Sequence, residues 1–347
     1  MIFNVRVKYK RTNIEIYSVY LAKKYYCIIF TLIILNTMIM KRIVSILVLA
    51  AAMAFNATAA EKTLTFNVGK VEGVHVSSSL MMVYEVHVTH GKSNTVEVVY
   101  DDKIEEVIEK FDSHLKVEHS SANSVLYLGM HELPAKLERL KLTSKARTVK
   151  VFVEMTDIHR IDISGANVIY FDGAFDCKNL EIDLTGSANF ANELNVTGNS
   201  INIDCSGATY TSVIGNFKQA EIDGSGACSI NLTGNIEEFE CDLTGASKLI
   251  YHGESDKCDL ECSGATNAEL VGKGDDLVID ATGACKIEAK DYCAKYVDIE
   301  LNGACSAKVQ ATHELKHDIS IASKLTYFND AKIIDKADNS NVKKGTL

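Results

Sequence analysis

The sequence predicts an all-β solenoid, a parallel β-helix with coils of 19–21 residues behind a β-rich capping region. Three observations predict it. A six-residue phrase returns eight times between residues 161 and 305, as IDISGA, IDLTGS, IDCSGA, IDGSGA, CDLTGA, LECSGA, IDATGA and IELNGA. Its glycines, Gly165, Gly186, Gly207, Gly226, Gly245, Gly264, Gly283 and Gly303, follow one another at steps of 21, 21, 19, 19, 19, 19 and 20 residues, the fixed period of a solenoid. Inside each phrase apolar and polar residues alternate with period two, as in a strand with one buried face. Leucine-rich repeats share the period but need an LxxLxLxxN phrase that is absent here.

The chain opens on residues 1–39, basic and aromatic, read as an upstream extension outside the mature protein. Residues 40–60 have the build of a signal peptide: Lys41 and Arg42, the apolar run IVSILVLAAAMAF, then small residues at Ala57-Thr58-Ala59-Ala60. The run is short for a membrane span. Residues 61–160 are β-rich without the 20-residue period, with strands expected at KTLTFNV, GVHVSSSLMMVYEVHVTH, NTVEVVY, HLKVEHS, SVLYLGM and RTVKVFVEM. DDKIEEVIEKF, residues 101–111, spaces Ile104, Val107, Ile108 and Phe111 as an amphipathic helix would. This region is expected to cover the first coil, because an open solenoid end exposes core and unpaired backbone.

Residues 161–335 are the solenoid proper. Stacking in register puts Ile161, Ile182, Ile203, Ile222, Cys241, Leu260, Ile279 and Ile299 into one inward column. Each phrase glycine makes a corner that needs positive φ or a close backbone approach. A second corner falls eight residues on, at Gly173, Gly215, Gly234, Gly253 and Gly272, with Asp291 and Ala311 substituting; the longer second coil uses Gly198. ISIASKLTYF, residues 319–328, reads as a degenerate closing coil, and residues 336–347 as a C-terminal tail.

Without residues 1–60, which hold eight Lys/Arg and one acid, the chain keeps 28 basic and 45 acidic side chains, a formal charge of −17. That surface repels phosphate backbones, so nucleic acid is excluded as a partner. Nine cysteines remain, with no CxxC spacing to suggest zinc. Cys205, Cys241 and Cys262 fill apolar slots, and Cys228, Cys285 and Cys305 share the slot two after the glycine. They read as small buried hydrophobes. The sharper alternative is a Cys285–Cys305 bridge between adjacent coils.

The repeated SGA and TGA phrases, VEGVHVSSSLMMVYEVH, VKVFVEM and the exported start together resemble the family described as putative auto-transporter adhesin, head GIN domain, common in Bacteroidetes. The resemblance covers about residues 62–330. It implies a right-handed parallel β-helix in the cell envelope and supplies no catalytic residues. The many cysteines and the acid of every phrase do not come from it.

The most distinctive polar feature is an acid ladder: Asp162, Asp183, Asp204, Asp223, Asp242, Glu261, Asp280 and Glu300. One reading is a cation stripe of hard oxygen ligands suited to Ca²⁺. The favoured one is a solvated face whose like charges discourage aggregation. His313-Glu314-Leu315-Lys316-His317 matches HExxH, but no helix fits there to present both histidines to zinc. The sequence thus predicts a non-catalytic, exported binding, adhesion or display module needing no cofactor. Its compartment would be the periplasm, the outer-membrane surface or the exterior. Expected partners are a polysaccharide or an envelope or host surface protein, with homo-oligomers allowed. The alternatives are a polysaccharide-active enzyme of the β-helical lyase type and a structural envelope scaffold.

Overall fold

In each phrase the residues flanking the acid are apolar, and an extended backbone sends both to the same side. A strand so short holds only if its backbone pairs with coils above and below, about 4.8 Å away. The computed structural model of the chain is built on that pairing. It describes residues 61–77, 82–92, 95–101, 116–119, 124–129, 147–335 and 341–346. The expected leader segments 1–39 and 40–60 and the helix expected over 101–111, beyond Asp101, lie outside them. The described elements are strands, wound into a β-solenoid of about nine turns.

All eight phrases lie over one another in parallel register. Ile161, Ile182, Ile203, Ile222, Cys241, Leu260, Ile279 and Ile299 pair in succession, and every one is buried. The eight corner glycines have φ between 77° and 108°. At Gly207 a Cβ would stand 2.4 Å from the Gly186 carbonyl oxygen, so the corner refuses a side chain on two counts.

The slot two after each phrase glycine turns inward at the corner and carries a small polar group or thiol in every coil but one, where it is Ala188. Asn167, Cys228, Ser247 and Cys305 donate to the carbonyl three residues back, at 2.7, 2.9, 2.9 and 3.3 Å. Thr209, Thr266, Cys285 and Ser323 occupy the same buried column. Where that bond forms, it satisfies a carbonyl that the bend takes out of the ladder. All nine described cysteines are free thiols, seven buried and two, Cys177 and Cys293, half-buried. Cys285 and Cys305 are among them, so no bridge joins their coils.

At the N-terminal end, space and sequence part company. β1 (Glu61–Asn67), β2 (Gly73–Ser77), β3 (Met82–His90), β4 (Thr95–Asp101), β5 (Lys116–His119), β6 (Ser124–Gly129), β7 (Arg147–Met155), β8 (Arg160–Gly165) and β9 (Val168–Asp172) come in that order. β2 lies parallel between β6 and β8, and β3 between β7 and β9. The chain thus lays down the middle rung first, then one on each side. Val74 continues the inward column above Ile161 and below Leu126. Antiparallel strands end the ladder: β5 on β6, β4 on β7, β1 on β4.

One expected corner is displaced. Gly272 pairs with Tyr292, and Asp291 pairs with Val271 across a register shift. Ala311 pairs with Ala294 rather than Asp291. The cause is the coil from Gly283 to Gly303, one residue longer than the four before it, whose extra residue is taken up as a bulge. Tyr292 is drawn inside, its hydroxyl 2.5 Å from Ser255 Oγ. A Cβ on Gly274 would lie 2.3 Å from that hydroxyl, so this glycine makes the ring's room. At the far end Lys324–Phe328 pairs with the coil before it, and Lys332–Asp335 and Val342–Lys344 add a further rung.

Candidate functional site

Two outward regions of the solenoid carry chemistry. The first is the outer face of the phrase-bearing strands. Asp162, Asp183, Asp204, Asp223, Asp242, Glu261, Asp280 and Glu300 pair rung to rung in one column, which continues to Asp318. Its first rungs are compensated. His75 Nδ1 lies 2.6 Å from Asp162, and Arg160 donates to Glu181 and to Asp183, each at 2.7 Å. His75 stands 87 residues from Asp162 in sequence, and only the misordered rung brings them together.

Farther along, the carboxylates answer to one another. Asp204 is pushed up by desolvation and then by Asp183 and Asp223; Asp242 by desolvation and then Asp223. Glu261 is pushed up first by the Asp242 charge, and Asp280 by desolvation and then Glu300. A second acidic column stands two residues before the first, with Glu221, Glu240 and Asp259 on successive rungs. Between the columns is a shallow depression of about 170 Å³ lined by Glu221, Asp223, Glu240, Asp242, Asp259 and Glu261. The second column is written in AEID, EFECD and CDLE, one residue ahead of the repeated phrase and outside it.

The second region is an open groove of about 870 Å³ along the turns that lead back into the phrase strands, from Thr197 to His313. Its floor includes the buried rings and branches of Phe217 and Ile236. Asn216 Oδ1 accepts the Asn235 N–H at 2.8 Å, and Asn235 Oδ1 accepts the Glu254 N–H at 3.2 Å. Lys273 pairs with Glu254 at 3.1 Å and Lys295 with Asp275 at 2.5 Å, each across one coil. The sequence marks its row only indirectly: Asn216, Asn235, Glu254 and Lys273 each follow a second-corner glycine at 19-residue steps, but their types differ from coil to coil.

HExxH falls on the strand Ser306–Ile319. His317 is 1 % exposed and faces inward beneath Ile299, whereas His313 is exposed beside the Tyr296 ring, at 5.6 Å. The wall of the solenoid separates the two imidazoles, so they cannot share a zinc ion. Near the cap, His87 is stacked between Phe152 and Tyr170 at 4.7 and 4.6 Å. Burial, with Lys150 adding to it, pulls its pKa down to about 4, so the ring is neutral at pH 7.

A search of curated proteins finds no match. Among solved structures, the chain is similar to a putative adhesin from Parabacteroides distasonis ATCC 8503, at 14% identity and TM-score 0.44, covering 83% of this chain and 97% of that one. It is also similar to a putative lipid binding protein from the same strain, at 14% identity and TM-score 0.40, covering 83% and 98%. A putative adhesin from Parabacteroides merdae ATCC 43184 matches at 14% identity and TM-score 0.38, covering 83% and 98%. The model of one family matches residues 74–234 and again 218–331, nearly the whole described solenoid. The chain belongs to the family described as putative auto-transporter adhesin, head GIN domain.

Proposed function

We propose that the protein is an exported, envelope-associated rod that acts by binding and display, not by catalysis. The observation that carries this reading is the repetition of its outward chemistry. Acid follows acid along one column, whereas a catalytic centre is a single constellation unlike its surroundings. The family description as an adhesin supports the same reading, as does the signal-like segment at residues 40–60. The rod would stand in the periplasm, on the outer-membrane surface or outside the cell. Its partners would be a polysaccharide or a surface protein.

The acid ladder serves in this reading as a solvated, self-repelling face that keeps rods apart. The cation stripe is its competitor, and calorimetry separates them. A repulsive face responds to Ca²⁺ as to any salt of equal ionic strength. A stripe would give a saturable heat and a rise in melting temperature beyond the matched control. The function itself is tested by screening the exported protein on glycan and surface-protein arrays, with a parallel assay for unsaturated products from polyuronides. Retention without turnover is expected. Turnover would overturn the proposal in favour of a β-helical lyase.

A further inference from the structure

We propose that the 870 Å³ groove is the adhesive site and that it takes a linear, uncharged polysaccharide lying parallel to the solenoid axis. The inference rests on the reading of the protein as a binding module and names where and what it binds.

Charge selects the ligand class. The groove carries three lysines, Lys218, Lys273 and Lys295, against four acids, Glu237, Glu254, Asp256 and Asp275, a formal balance of −1. The chain beyond residue 60 stands at −17. This strip is therefore close to neutral on a strongly acidic rod. A polyanion gains nothing from it and is repelled by the rest of the molecule. A polycation would settle on the double acidic column of the other face.

Hydrogen bonding selects hydroxyl-rich chains. The Asn216 and Asn235 carboxamides are each held through their oxygen by the next coil's backbone. Both side chains are exposed, and among the described residues neither Nδ2 has a protein partner. Two fixed pairs of donors thus stand one coil apart, about 4.8 Å. The Lys273–Glu254 and Lys295–Asp275 pairs continue the row with donors and acceptors fixed in the same way. An extended polymer finds the same kind of contact at every coil, so weak sites add up along one chain.

The test uses protein purified from cells expressing the full chain. Its mobility is followed in native gels cast with a soluble β-glucan, a xylan, a galactomannan or, as the anionic probe, polygalacturonate. Retardation by at least one uncharged polymer and none by polygalacturonate is expected. Asn235→Ala should weaken that binding about tenfold. Because Asn235 also braces the next coil, Glu237→Arg is the second variant. Glu237 is exposed and has no hydrogen bond to another coil's backbone among the described residues. It too should weaken binding, and Asp242→Asn on the acidic face should not. Binding that both groove variants leave unchanged would overturn the groove assignment while leaving the adhesive role standing. Retardation by polygalacturonate alone would overturn the ligand class. Attachment to protein-coated surfaces without any glycan binding would overturn the polysaccharide inference alone. Attachment to neither would overturn the adhesive reading as well.

Discussion

Gly207 leaves little to choice. Its φ of 94° and the Gly186 carbonyl oxygen 2.4 Å from any added Cβ both exclude a side chain. Gly207→Ala should cost about 1–3 kcal/mol in urea unfolding; an unchanged midpoint would mean that the corner is not wound as described. The cysteines make a second test at this scale. Thiolate is the reactive form, and burial suppresses it. In the native protein a thiol reagent should label Cys293 first. Cys177 follows more slowly, since burial and the charges of Asp176 and Asp157 push its thiol up to about 11. In protein lacking residues 1–60, denaturant should bring the count to nine, all nine described cysteines being free. A count of seven would reveal one bridge, Cys285–Cys305 first among the suspects.

At the scale of the element, the acid ladder makes stability depend on pH. Asp204, Asp242, Glu261 and Asp280 have folded-state pKa values raised above the ordinary carboxylate range. The folded chain therefore holds protons that the unfolded chain has released, and stability falls as pH rises through that window. His87 works the other way. Its lowered pKa means that the unfolded state gains a proton first as pH falls below 6.5. The ladder's part is isolated by difference. Asp242→Asn/Asp280→Asn should melt higher than the wild type at pH 7 and low salt, by the order of 1 kcal/mol. The advantage should shrink as pH falls into the raised carboxylate range. An advantage independent of pH would show that the charges do not interact.

What the sequence conveyed and what it withheld divide along the same line. The phrase strands, their register and their corner glycines are legible because stacked coils repeat one solution, and Ile161 to Ile299 repeat with it. The rung of β2 and β3 is not legible, since it lacks the SGA phrase and is placed by pairing with strands far along the chain. The bulge at Ala289 and Lys290, opposite Leu270, is announced only by one 20-residue step. The groove is built from turns, where residue identity varies; the 19-residue period aligns Asn216 with Asn235 and Glu254, but only the stack shows that each carboxamide oxygen is held by the next coil's backbone.

At the scale of the whole solenoid, the faces differ: inward apolar columns, a doubly acidic outer column, and a groove close to neutral, to which the proposals above assign stability, solubility and contact. That separation depends on every coil lying over the last. Spin labels on one exposed column measure it directly, with Cys177 and Cys293 first replaced by serine. Asn179, Ser200, Gln219, Glu238, Lys257, Asp276 and Tyr296 pair in succession along that column. Label pairs at Asn179→Cys/Lys257→Cys and Asn179→Cys/Tyr296→Cys span four and six coil steps. Electron–electron resonance should return separations near ~19 and ~29 Å, a constant advance of about 4.8 Å per coil. Two similar distances, or a shorter one for the longer pair, would contradict the stacked rod and the faces that depend on it.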